Sequence, residues 1–187
     1  MAEIKVGVAS CAHWAWLESS KFMVDYWARV IGSGAKGYLH VPIDAKGLAY
    51  CLSLSDYFII HTHGTPNAFF DYRTDHEQGV IATKEEIESF PRFSNLKCVF
   101  ITACQAAGKT DGDNIASVLS RHIAADGLVF ANIHVVWGSD YDFVEKNRTP
   151  GWVAYQNGRR VLGEFDIPVT ITAKDAYEIY LEYSKTH

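Results

Sequence analysis

The chain has 187 residues, 48% of them apolar and 21% charged, with a net charge of −5. That balance describes one globular domain able to bury a core without staples, and it excludes wholesale disorder. A mildly acidic chain with no basic run of five or more residues also speaks against nucleic acid as a partner, because phosphate binding needs a basic face.

Short apolar runs alternate with helical patterns. Residues 4–9 read as a first strand. Residues 17–31 carry Leu17, Phe22, Val24, Trp27, Val30 and Ile31 near a helical period, stopped by Gly32 and Gly34. A second strand, 38–41, is broken by Pro42, and 45–54 reads as a short buried helix. A third strand, 56–62, runs into Gly64 and an insertion, 65–82, whose AFFDYR stretch suggests a small hairpin. Thr83 and Glu86 form a capping-box pattern. Residues 97–103 are a fourth strand, and Asp113 is placed to cap a helix over 114–125. A fifth strand spans 127–137, an aromatic helix is expected from Thr149-Pro150, and a sixth strand covers 168–171. Thr172 and Asp175 form a second capping box before a final helix with Ala176, Ile179, Tyr180 and Tyr183 on one face.

The first, third, fourth and fifth strands are nearly continuous apolar runs, the pattern of strands buried on both faces. With helices between them, the expected fold is α/β: a single domain over 1–187, a three-layer α-β-α sandwich around a mostly parallel six-stranded sheet. The longest apolar stretches, 57–60 and 128–137, fall far short of the ~20 residues that span a membrane. The opening MAEIKVGVAS reads as a strand rather than a signal peptide, so a cytoplasmic location and no membrane partner are expected.

Four cysteines, Cys11, Cys51, Cys98 and Cys104, include no C-x-x-C pair, which disfavours structural zinc and thioredoxin-like chemistry. Cys51 and Cys98 read as core fillers. Gly108-Lys109-Thr110 mimics the end of a phosphate loop but lacks its upstream glycine.

Ligands of open α/β sheets bind at the carboxyl ends of the strands. There the sequence places Ser10 to His13, then His61-Thr62-His63-Gly64, then Thr102-Ala103-Cys104-Gln105, then Trp137 to Asp140. A cysteine and a histidine on one edge suggest nucleophile chemistry, because imidazole and thiol stabilise each other as imidazolium and thiolate. The peptide N–H groups of Gly64 and Cys104 are candidates for an oxyanion hole. His61 and His63 also resemble an H-x-H metal half-site, but no further ligand cluster accompanies them.

The block YFIIHTHG, an apolar strand then His-Gly, is followed by CVFITACQ, an apolar strand then Ala-Cys. In that order the two blocks resemble the caspase-like superfamily of cysteine peptidases, in which His-Gly and Ala-Cys end consecutive apolar strands. The segment GLVFANIHVVWGSDYD is similar to the strand after the nucleophile in bacterial CHAT-domain members. The resemblance implies a cysteine endopeptidase without a cofactor or metal, acting on polypeptides. It implies His63 as catalytic base and Cys104 as nucleophile, with Gly64 and the Cys104 amide as the oxyanion hole. Relatives differ in activation by calcium, self-cleavage or a partner, so a regulatory protein partner is among the expectations. The motif departs from the caspase pattern Gln-Ala-Cys-Arg-Gly, reading Thr102-Ala-Cys-Gln-Ala106.

Trp137 and Asp140 are expected in the substrate pocket, a flat wall and a carboxylate suited to cleavage after basic residues. The alternative makes Trp137 core and Asp140 a turn residue with Ser139 and Asp142. Two other functions fit the same residues: a catalytically silent caspase-like scaffold module, and a metal-dependent hydrolase using His61 and His63.

Overall fold

The structure is a computed structural model that describes residues 3–74, 77–108, 113–137 and 140–187, with the side chains of 72–77, 140 and 141 also outside the description. Its centre is a seven-stranded sheet. In chain order the strands are β1 (Ile4–Ser10), β2 (Ala35–His40), β3 (Tyr57–His61), β7 (Cys98–Ile101), β8 (Leu128–Asn132), β9 (Trp152–Gln156) and β10 (Arg159–Leu162). Their spatial order is β10-β9-β8-β7-β3-β1-β2. The five strands from β8 across to β2 are parallel, and β9 and β10 close one edge as an antiparallel hairpin. A separate three-stranded antiparallel sheet holds β4 (His63–Thr65), β5 (Ala68–Thr74) and β6 (Glu77–Thr83).

Alternation along each central strand sends residues to two cores, as the pleat requires. Phe58, Ile60, Val99, Ile101, Val129 and Ala131 face one side, against α2 (Ala45–Ser53), α3 (Lys84–Glu88), α4 (Ile115–Leu119) and Phe69, Ile81 and Ala82 of the small sheet. Tyr57, Ile59, Cys98, Phe100, Leu128 and Phe130 face the other, against α1 (Trp14–Ile31), α5 (Asp140–Val144) and α6 (Ala173–Ser184). The α-β-α sandwich is therefore present. No described helix is long and apolar enough to cross a membrane.

Several expectations are corrected. The sheet has seven strands rather than six. The helix expected from Thr149-Pro150 is the β9–β10 hairpin: Asn157 and Gly158 join the strands at φ 48° and 80°, the pair of left-handed residues a two-residue turn needs. Residues 168–171 form no strand. Strand β8 stops at Asn132, whose side chain accepts from the His134 N–H at 2.7 Å and donates to the Pro150 carbonyl at 2.8 Å, turning the chain out of the sheet. Helix α4 is capped by Asn114 rather than Asp113. Asn114 is buried, accepts the Ser117 N–H at 2.9 Å and donates to the Tyr155 hydroxyl, whereas Asp113 pairs with Lys84. Beyond Leu119 the chain continues in tighter i→i+3 turns, not in helix to 125. Both expected capping boxes, at Thr83 and Thr172, form with both of their bonds.

Candidate active site

Cys104 lies three residues past the end of β7, in a turn. Thr102 anchors the start of that turn: its N–H donates to the Ile60 carbonyl at 3.0 Å and its hydroxyl donates there at 3.2 Å. Past the cysteine, the Gln105 N–H donates to the His134 carbonyl and the Ala107 N–H to the Asn132 carbonyl, tying the turn to the exit of β8. Gln105 itself has φ 52°, a left-handed conformation uncommon outside glycine. Such strain persists where the surroundings over-determine the backbone, and here it follows directly on the thiol.

The histidines lie on two strands of different sheets. His61 ends β3 and His63 begins β4, so Thr62 is the point where the chain leaves the main sheet. Trp16, from the first turn of α1, packs against both rings, with centroids 4.5 Å from His61 and 4.6 Å from His63. His61 is 5% exposed, and its Nδ1 is 2.9 Å from the Thr102 hydroxyl oxygen. The same hydroxyl oxygen therefore links the His61 ring to the Ile60 carbonyl, tying the end of β3 to the start of the cysteine turn. Burial and the neighbouring His61 together lower the pKa of the half-buried His63 from its ordinary value. Its imidazole is neutral near pH 7, the form that accepts a proton.

Gly64 explains why a glycine follows His63. A Cβ there would come within 2.7 Å of the Ala103 Cβ and 3.3 Å of the Cys104 carbonyl oxygen. The start of β4 and the cysteine turn are therefore in direct contact, closer than any side chain at 64 allows.

His61, Thr62, His63, Thr102 and Cys104 share the lining of one cavity of ≈ 280 Å³ with Trp16, Val135, Val136, Trp137 and Phe143. The structure thus brings together His63, Cys104 and Trp137 of the residues expected from sequence. Trp137 is 78% exposed, which removes it from the core and puts it at the rim. Asp140 opens α5, but its side chain lies outside the described residues, as does Ser139. Sequence reasoning missed Trp16, Val135, Val136 and Phe143 as lining residues. Among the described residues, no group of three or more His, Cys, Asp or Glu side chains could hold a metal ion.

The other thiols differ. Burial pushes the Cys51 thiol up to about 11 and raises that of the fully enclosed Cys98 further still. Cys11 is fully buried, its Sγ 3.5 Å from the Phe70 carbonyl oxygen, while Cys104 is half-buried.

No family model matches the sequence. No curated protein matches it either. Among solved structures the chain is similar to a secreted C11 cysteine protease from Bacteroides thetaiotaomicron, solved in complex with an irreversible peptide inhibitor. The two are 10% identical with a TM-score of 0.44, over 76% of this chain and 53% of that one. The chain thus spans about half the length of that protease.

Proposed function

We propose that the protein is a cysteine endopeptidase of the caspase-like, CHAT-domain type, with His63 and Cys104 as its catalytic pair. The observation that carries this reading is the meeting of two strand ends. Cys104 and His63 line one cavity, and Gly64 is packed against the Ala103–Cys104 backbone too closely for a Cβ. Neutral His63 takes the Sγ proton as the sulfur attacks the scissile carbonyl carbon. The N–H groups of Gly64 and Cys104 are the proposed donors to the oxygen that becomes negative. Collapse breaks the C–N bond, and the proton on His63 passes to the leaving amine. Water then gives a proton to His63 and attacks the thioester; the C–S bond breaks and the sulfur leaves with its electron pair, recovering that proton.

The same reading treats 1–187 as one peptidase domain, since both cores flank a single central sheet. A cytoplasmic setting belongs to the same reading. Cleavage after basic residues requires the Asp140 carboxylate to reach the cavity, and that side chain is outside the described residues.

The test is covalent. Peptides bearing an acyloxymethyl ketone warhead are expected to label the protein at one thiol, located at Cys104 by peptide mass spectrometry. Labelling that persists undiminished in Cys104→Ala would overturn the assignment.

A further inference from the structure

We propose that the cavity beside Cys104 receives a large apolar side chain, aliphatic or aromatic, from the residue whose carbonyl is attacked; this rests on the peptidase reading above. Cys104 is part of the cavity wall, and its Sγ lies 3.7 Å from the Val136 carbonyl oxygen on the loop leaving β8. A carbonyl carbon within reach of that sulfur brings its own α-substituent to the cavity mouth. The volume, ≈ 280 Å³, lies just below that of ligand pockets, which run about 300–1,000 Å³. It is room for one side chain.

The walls decide which one. Val135, Val136 and Trp137 come from the loop after β8, Trp16 from α1 and Phe143 from α5. Among the described lining residues there is no carboxylate, lysine or arginine. Most of the polar groups have partners or work elsewhere: Nδ1 of His61 pairs with the Thr102 hydroxyl, that hydroxyl also reaches the Ile60 carbonyl, and His63 handles the proton of the reaction, which leaves the uncharged Thr62 hydroxyl as the polar atom without a partner among the described residues. A guanidinium or ammonium entering this space loses its water and, among the described lining residues, meets valines, aromatic faces and no carboxylate, which return less than desolvation takes. An aspartate meets no described cationic lysine or arginine. A leucine or phenylalanine exchanges water for apolar contact, and a ring can lie edge-on to Trp16 or Phe143.

The experiment is a panel of fluorogenic peptides, and of matching warhead peptides, identical except for Leu, Phe, Arg, Lys, Asp or Ala at the cleavage position. Wild-type protein should turn over the Leu or Phe peptide with kcat/KM at least tenfold above Arg, Lys and Asp. Val135→Glu places a carboxylate at a partly exposed wall position, and should shift the Arg-to-Leu ratio toward Arg by at least tenfold with an unchanged melting transition. Preference of the wild type for Arg, Lys or Asp, or equal rates across the panel, overturns the pocket assignment and leaves the peptidase standing. Failure of every peptide to be cleaved or to label, with Cys104 still alkylated by iodoacetamide, overturns the peptidase and the pocket together. The wild-type comparison depends on no variant folding.

Discussion

Cys98 opens β7 and Cys104 lies just past its other end, so one strand carries two thiols to opposite edges of the sheet. At the amino edge Cys98 is enclosed on all sides, beside Phe100 and Leu128, and burial pushes its thiol far above the ordinary range. At the carboxyl edge Cys104 faces a cavity shared with a neutral histidine. The contrast extends along both edges. The amino edge is closed by the tight Asn157-Gly158 turn, whereas at the carboxyl edge β3 breaks off at Thr62 and changes sheet, and β7 runs into a left-handed residue. Regular pairing in the middle of the sheet leaves its irregular backbone for the edge where parallel strands deliver their carboxyl ends.

The largest expected effect separates the two thiols. Cys104→Ala should lower kcat/KM by at least about a thousandfold, because no other group can form the thioester. Its melting temperature should stay close to wild type, since a half-buried sulfur leaves little cavity. Cys98→Ala should do the reverse, keeping turnover and costing about 1–3 kcal/mol in denaturant unfolding as an enclosed core position. Equal kinetic damage in both variants would erase the distinction between the edges.

Gly64→Ala comes next. The added methyl has to push against Ala103 Cβ and the Cys104 carbonyl, moving the thiol turn away from β4. A displacement of about 1 Å can cost about a hundredfold in rate. The loss should fall on kcat more than on KM. Gly64→Ala turning over as fast as wild type would mean that the contact between the two strand ends has no part in the chemistry.

How far this edge could be read from sequence depends on whether a residue's role was local. The buried parallel strands announced themselves as apolar runs, and Thr83 and Thr172 as capping boxes, because those signals lie within a few residues. His63 and Cys104 were legible as reactive types at strand ends. The cavity walls were not: Trp16, Val135, Val136 and Phe143 are ordinary core-type residues brought there by a helix packed over the sheet, a loop and a second short helix. The insertion 65–82 is legible as a hairpin at AFFDYR, but β4, at His63–Thr65, falls between the end of the expected third strand and that hairpin, where the sequence carries no strand signal of its own. At 152–156 aromatic residues after Thr-Pro imitated a helix start, and the stronger signal was the Asn-Gly pair that follows. The 168–171 run was apolar without a neighbour to pair with.

Proton concentration offers a smaller, graded probe. Burial lowers the pKa values of His40, His63 and His122 in the folded protein. Between those lowered values and the ordinary value near about 6.5, the unfolded chain binds more protons than the folded one. Stability from these groups is therefore complete above about pH 6.5 and declines as pH falls through the lowered values. Denaturant midpoints should be lower at pH 5.5 than at pH 7.5. With His63 as the proposed base, the acid limb of kcat/KM should lie below the ordinary histidine range. An acid limb above pH 7 would remove His63 from that role.

The smallest effect tests the amino edge alone. Asn157 holds φ 48° at the first turn position, and its side chain donates to the Ala125 carbonyl at 3.3 Å, far along the strands from Cys104. A β-branched residue is poorly tolerated there, and left-handed backbone costs an ordinary residue about 1–2 kcal/mol. Asn157→Val should lower unfolding free energy by about that amount, and Asn157→Gly should cost less, since glycine enters the conformation freely but forgoes the side-chain bond. Because β9 runs antiparallel, this turn is at the opposite end of the sheet from the cavity, and Trp152, at the other end of β9, is held independently by stacking on Phe100 at 4.7 Å. Labelling at Cys104 and kcat/KM should therefore be unchanged in both variants at temperatures where they are folded. A drop in kcat/KM that tracks the stability loss across the Val and Gly variants would instead show that the two edges are mechanically coupled through β9, and the separation drawn between them would fail.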